Sequence, residues 1–198
     1  MPIKLGIYGG SFNPPHKGHL NVASFAIDNL NLNKLLIVPN GIPPHKKSGD
    51  ISFDHRFKMC EQTFFLLGKE TEISDIEGKI KGKSYTINTV RAIKSLYPLA
   101  ETYLIVGSDM LFSFREWHEY KKLLNECCVV VAARNVAERK KIEKAVVELG
   151  KVIILDIEAM PMSSSEIREK IREGSEVSGY LTVETMRYIE VNQLYRGG

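Results

Sequence analysis

His16 and His19 stand three residues apart at the end of residues 6–19, GIYGGSFNPPHKGH. At that spacing two imidazoles share one face of a helix, where each can donate or accept a hydrogen bond. The residues before them form an apolar run, then a glycine turn, then two prolines; the residues after them repeat with helical spacing. A strand that passes through such a turn into a helix presents backbone N–H groups and a positive helix end to an anion. The chemistry that suits this junction is the handling of phosphate.

A second helix start of the same kind lies at residues 161–172, PMSSSEIREKIR. Ser163 followed three residues later by Glu166 is a capping box, which satisfies two backbone donors. The amides and hydroxyls of Ser164 and Ser165 remain for an anion. Arg168, one turn in, can grip the same anion bidentately. Three consecutive serines and a first-turn arginine exceed what capping alone requires.

Weaker candidates lie between the two. Residues 40–50, NGIPPHKKSGD, bring Asn40, His45, Lys46 and Lys47 into a proline-stiffened loop, either a solvated surface or one wall of a ligand site. Ser84-Tyr85-Thr86 opens a helix, with Ser84 as a plain N-cap or with free amides that bind a carboxylate or phosphate. Asp109, in Val106-Gly107-Ser108-Asp109, reads as a helix cap or as a contact to a ribose or a metal-bound water. Trp117, the only tryptophan, is set among polar neighbours in REWHEY and reads as core or as a partly exposed stacking surface. His55 and His118 read as structural or exposed.

The elements that must position these residues alternate along the chain. Apolar strand-like runs fall at residues 3–8, 34–38, 72–76, 102–106, 127–133 and 152–156. Helical stripes lie between them, and a last helix follows at residues 182–194. The strands are apolar on both faces, as in a parallel sheet covered by helices. The expected fold is therefore a single α/β domain over residues 1–198, with a doubly wound, mainly parallel sheet flanked by helices and a small C-terminal helical part. Ligands in such sheets bind beyond the carboxyl ends of the strands, at a topological switch point, and residues 9–19 fall on that edge.

Composition narrows the classes. The chain has 198 residues, 43% hydrophobic and 26% charged, close to globular norms. A net charge of +3, from 27 basic and 24 acidic residues, suits anionic small molecules and is too weak to argue for nucleic acid. No apolar run approaches the ~20 residues that span a bilayer, and no secretory pattern opens the chain. A soluble, cytoplasmic protein without a membrane partner is expected. The three cysteines, Cys60, Cys127 and Cys128, lack ligand spacing and read as buried thiols.

Taken together, GGSFNPPHKGH at residues 9–19 resembles the H-x-G-H signature of the nucleotidylyltransferase superfamily, and SSSEIR at residues 163–168 resembles its second signature. PPHK at residues 43–46, KSYTINT at 83–89, VGSDML at 106–111 and Trp117 resemble the bacterial nicotinate-nucleotide adenylyltransferases, in order over essentially the whole chain. The resemblance implies a Rossmann-like fold and transfer of AMP from ATP to nicotinate mononucleotide, giving deamido-NAD and pyrophosphate. It implies Mg2+ bound mainly through the ATP phosphates. His16, His19 and Arg168 would be catalytic. Gly9, Gly10, Ser11, Phe12, Gly18, Asp109, Ser164 and Ser165 would bind ATP. Asn40, His45, Lys46, Thr86 and Trp117 would bind the mononucleotide. The alternatives are another acceptor (nicotinamide mononucleotide or phosphopantetheine) or a nucleotide-binding regulator without turnover. Association with further copies of the chain stays open.

Overall fold

A computed structural model describes residues 2–41, 51–80, 84–133, 135–147, 149–157 and 162–196. Among these, the strands β1 (Lys4–Gly10), β2 (Lys34–Pro39), β3 (Thr71–Ile73), β4 (Glu101–Val106), β5 (Cys128–Ala133) and β6 (Val152–Asp156) form one sheet. All its pairings are parallel, in the order β3-β2-β1-β4-β5-β6. The chain winds outward from β1 in one direction and from β4 in the other, so the switch point lies between them, beyond Gly10 and Val106. This is the doubly wound arrangement that the alternating pattern predicts.

Strand side chains alternate between two cores. Leu5, Ile7, Leu36, Leu104, Val129 and Val131 pack with the helices α3 (Thr86–Leu96), α5 (Tyr120–Glu126) and α6 (Val136–Val146), near the short α4 (Ser108–Phe112). Their neighbours Leu35, Ile37, Tyr103, Ile105 and Val130 pack on the opposite face with α1 (Lys17–Leu30) and α2 (Phe53–Phe64). A third cluster joins Met59 of α2 to Ile167 of α7 (Ser164–Arg172) and Ile189 of α8 (Val183–Val191). The late helices thus dock on α2, beside the start of α1.

Three expectations need correction. The strand expected at residues 72–76 runs from Thr71 to Ile73, because the chain turns at residues 76–79. There Gly78 lies so close to the Phe53 ring that a Cβ would sit 2.4 Å from it. Helix α3 is capped at Tyr85 rather than Ser84, with no side-chain hydrogen bond; the Ser84 hydroxyl is buried without a partner. Asp109 is not a cap either, since Gly107 precedes α4 and Asp109 lies in its first turn. No helix among the described residues is long and apolar enough to cross a membrane.

Candidate active site

The site starts where β1 ends. Phe12 adopts a left-handed backbone, φ 46°, and its ring is fully buried, edge-on to Tyr8, Phe64 and His19. A Cβ on Gly10 would lie 2.9 Å from that ring, so glycine lets the aromatic tuck beneath the turn. Phe12 therefore supports the turn from the core side, and only its backbone can serve a ligand. The Asn13–Pro14 peptide is cis.

Helix α1 then begins with a capping box built from histidines. His16 is the N-cap, and its Nδ1 accepts from the Gly18 N–H at 3.1 Å. The His19 Nδ1 accepts from the His16 N–H at 3.2 Å. The two rings lie 3.8 Å apart, centroid to centroid. A ring nitrogen that accepts from an amide carries no proton, so each neutral imidazole carries its proton on Nε2. The local sequence thus sets which end of each ring is the donor.

The loop between turn and helix is held by residues far along the chain. Ser164 Oγ donates to the Pro14 carbonyl at 2.9 Å, and Arg168 Nη1 donates to the Asn13 carbonyl at 2.7 Å. The Lys17 N–H donates to the Tyr180 carbonyl at 2.8 Å. Ser163 and Glu166 form the expected capping box at α7, and the Ser163 hydrogen bonds hold the Glu166 carboxyl below its ordinary pKa.

A cleft of about 960 Å3 opens at the switch point. Gly9, Gly10, Ser11, His16, Gly18 and His19 line it from the β1–α1 junction, and Ser164 lines it from α7. Asn40, Thr86 and Asp109 line it from the end of β2 and the starts of α3 and α4, and Trp117 lines it from the turn before α5. Trp117 is half-buried, with its ring 4.9 Å from that of Phe114. Gly107 makes room for Asp109, since a Cβ there would lie 2.5 Å from Oδ1. His45 and Lys46 lie outside the described residues. Phe12, Ser165 and Arg168 do not line the cleft. The Arg168 guanidinium spans the Asn13 carbonyl and Ser165 Oγ, so here it braces the loop that carries the histidines.

A family model described as cytidylyltransferase-like matches residues 7–170. A protein of Fusobacterium nucleatum described as a probable nicotinate-nucleotide adenylyltransferase is 36% identical, covering 95% of this chain and 97% of its own length. Another of the same description, from Carboxydothermus hydrogenoformans, is 38% identical over 98% of each. The chain belongs to the nicotinate-nucleotide adenylyltransferase family. The fold agrees with that of the nicotinic acid mononucleotide adenylyltransferase of Plasmodium falciparum in its complex with NaAD. That structure matches with a TM-score of 0.80 at 24% identity, covering 98% of this chain and 97% of the other.

This adenylyltransferase chain also uses residues that the sequence reading passes over. Arg56, only 3% exposed, donates to the Ser11 carbonyl at 2.9 Å and to the Asn40 and Gly41 carbonyls at 2.6 and 2.9 Å. Glu77, 7% exposed, accepts from the Gly41 N–H at 3.1 Å and the Thr89 hydroxyl at 2.8 Å. The Tyr195 hydroxyl donates to Asn13 Oδ1 at 2.7 Å. Burial pushes the Tyr195 phenol well above its ordinary pKa. Asn135, Glu138 and Lys141 bring the start of α6 to the cleft, with Ser108 Oγ donating to Glu138 at 2.5 Å. A single arginine in FDHRFKMC carries no signal of a loop brace; only a charged residue on the inward side of the helical stripe could have hinted at it.

Proposed function

We propose that this chain transfers the AMP moiety of ATP to nicotinate mononucleotide, releasing pyrophosphate and forming deamido-NAD. The observation that carries this reading is the histidine capping box on the cleft, in which both Nδ1 atoms accept from backbone amides at the start of α1, so that each neutral ring carries its proton on Nε2. Full-length kinship with the adenylyltransferase family supports the choice of substrates.

The reaction asks little of acid–base chemistry. The mononucleotide 5′-phosphate is already anionic near neutral pH. Its oxygen bonds to the α-phosphorus of ATP while the bond from that phosphorus to the α–β bridging oxygen breaks, and the electron pair leaves with pyrophosphate. The task for the protein is to bring two polyanions together in line and to stabilise the charge that develops. His16 and His19 donate to the phosphates from the start of α1. Gly9, Gly10, Ser11 and Gly18 let the backbone approach the nucleotide, and Asp109 contacts it from the β4 edge. The Ser164 amide adds a donor at the start of α7, its hydroxyl being given to the Pro14 carbonyl, while Ser165 and Arg168 act by holding residues 13–14. Asn40 faces the acceptor phosphate, and Trp117 stacks on its pyridine ring. The first-turn amides of α3, which receive no side-chain cap, face the acceptor carboxylate beside Thr86.

The donors at the histidine end are imidazoles, amides and hydroxyls, which suit phosphate oxygens better than a bare hard cation. Among the described residues no three His, Cys, Asp or Glu side chains gather around one point. This donor set fits Mg2+ that arrives on the ATP phosphates, where it would neutralise charge on the leaving pyrophosphate. Pyrophosphate release from ATP and Mg2+, with nicotinate and nicotinamide mononucleotides in parallel, tests the reading. Faster release with the nicotinate form is expected. No release with either, or a preference for the nicotinamide form, overturns it.

A further inference from the structure

The β1–β2 ladder ends at Gly10 opposite Pro39, and the Asn40 N–H still donates to the Gly10 carbonyl at 2.8 Å. One residue further on, the Arg56 guanidinium stands where the next rung would be. One of its arms reaches the Ser11 carbonyl, and the other reaches those of Asn40 and Gly41. Its carbon lies 5.6 Å from the centre of the Phe53 ring. Glu77 grips the same segment from the opposite side through the Gly41 N–H and ties it to Thr89 of α3. Gly41 has no room for a side chain, since a Cβ would lie 2.5 Å from the Glu77 carbonyl oxygen.

We propose that Arg56, with Glu77, is a positioning residue that sets the distance between the two substrates. Burying a guanidinium for stability alone is costly, and an apolar side chain of similar volume does that work at least as well. What an apolar chain cannot do is hold three carbonyls of two loops at once. Both loops line the cleft: Ser11 on the side assigned to ATP, Asn40 on the side assigned to the mononucleotide. The brace therefore fixes the separation across which the acceptor phosphate must reach the α-phosphorus. Misplacement by about 1 Å costs on the order of 10²-fold in a reaction that depends on alignment, without weakening the binding of either partner alone.

The inference rests on the adenylyl transfer proposed above, and its test separates the two. Wild type and Arg56→Lys are compared for pyrophosphate release with ATP, Mg2+ and nicotinate mononucleotide, varying each substrate at saturation of the other. A single ammonium cannot span both arms. Arg56→Lys is expected to lower kcat at least about tenfold with each KM within about threefold. A folded variant with any other pattern overturns the proposal: unchanged kcat would make Arg56 structural, and a loss confined to KM would make it a binding residue. An inactive wild type would instead remove the adenylyl-transfer reading. If Arg56→Lys does not fold, Glu77→Gln and Glu77→Ala read the same segment. Glutamine keeps an acceptor for the Gly41 N–H and a donor for the Thr89 oxygen, so its kcat should stay above that of alanine; equal constants for the two overturn the proposal.

Discussion

Replacing His19 tests two roles at opposite ends of one ring, a cap that the structure shows and a phosphate contact proposed above. Its Nδ1 completes the capping box by accepting from the His16 N–H at 3.2 Å, and its Nε2 is the donor proposed for phosphate. Losing the cap should cost about 1 kcal/mol, a fall in Tm of about 2–4 °C for a chain of this size. Losing a donor to developing charge should cost about 2.7–4 kcal/mol in the barrier, about 10²–10³ in kcat. His19→Ala loses both. His19→Asn places an acceptor near the Nδ1 position and nothing at Nε2, whereas His19→Gln, an ordinary capping-box residue at this position, keeps an acceptor for the His16 N–H and can return a donor near Nε2. Thermal melts and steady-state pyrophosphate release should therefore separate the cap from the donor: alanine loses both, asparagine only the donor. The asparagine variant should melt near wild type and turn over at least about 10²-fold more slowly. The glutamine variant should melt near wild type and keep more activity than the asparagine variant. An asparagine variant that is folded and within tenfold of wild type would refute the reasoning.

Two further outcomes follow from the same site. Trp117→Ala should raise the KM for nicotinate mononucleotide more than that for ATP, because the half-buried ring lines the cleft on the acceptor side; initial rates with each substrate varied check it, and equal effects would make the tryptophan structural. Tyr195 keeps its proton more tightly folded than unfolded, since burial raises its pKa, so its share of stability is full below the ordinary tyrosine pKa of about 10 and is lost as pH rises beyond it. Wild type should lose Tm more steeply than Tyr195→Phe between about pH 9 and 11, and parallel curves would sink that assignment.

Much of this was legible from residue order. Strands apolar on both faces announced a covered parallel sheet, and the six runs lie within a few residues of the strands found. The glycine turn, the paired histidines and the serine-rich helix start all reach the switch-point edge. What escaped was either too short to show a period or made by contacts distant in the chain. Helix α4 spans only Ser108–Phe112, less than two turns, so no stripe marks it. Ser84 has the residue type of a cap but lies one position too early. The resemblance names Phe12 for the nucleotide site, and residue order carries no sign that its left-handed backbone places the ring in the core. Arg168 looked like an anion grip because of its first-turn position. One of its partners is a backbone carbonyl 155 residues away, a relation with no local signature. Arg56 and Glu77 escaped for the same reason.

The loop before α1 depends on partners separated from it by most of the chain: Ser164 by 150 residues, Arg168 by 155 and Tyr195 by 182. On a ribosome, the two histidines are made well before the residues that hold their loop in shape. A nascent chain can pair β1 with β2 and already carry both histidines, yet it lacks the braces at residues 13 and 14. The full set of braces on residues 13 and 14 is thus in place only once residue 195 has been made. A chain cut before residue 195 loses the outermost brace while keeping every group that would touch a substrate.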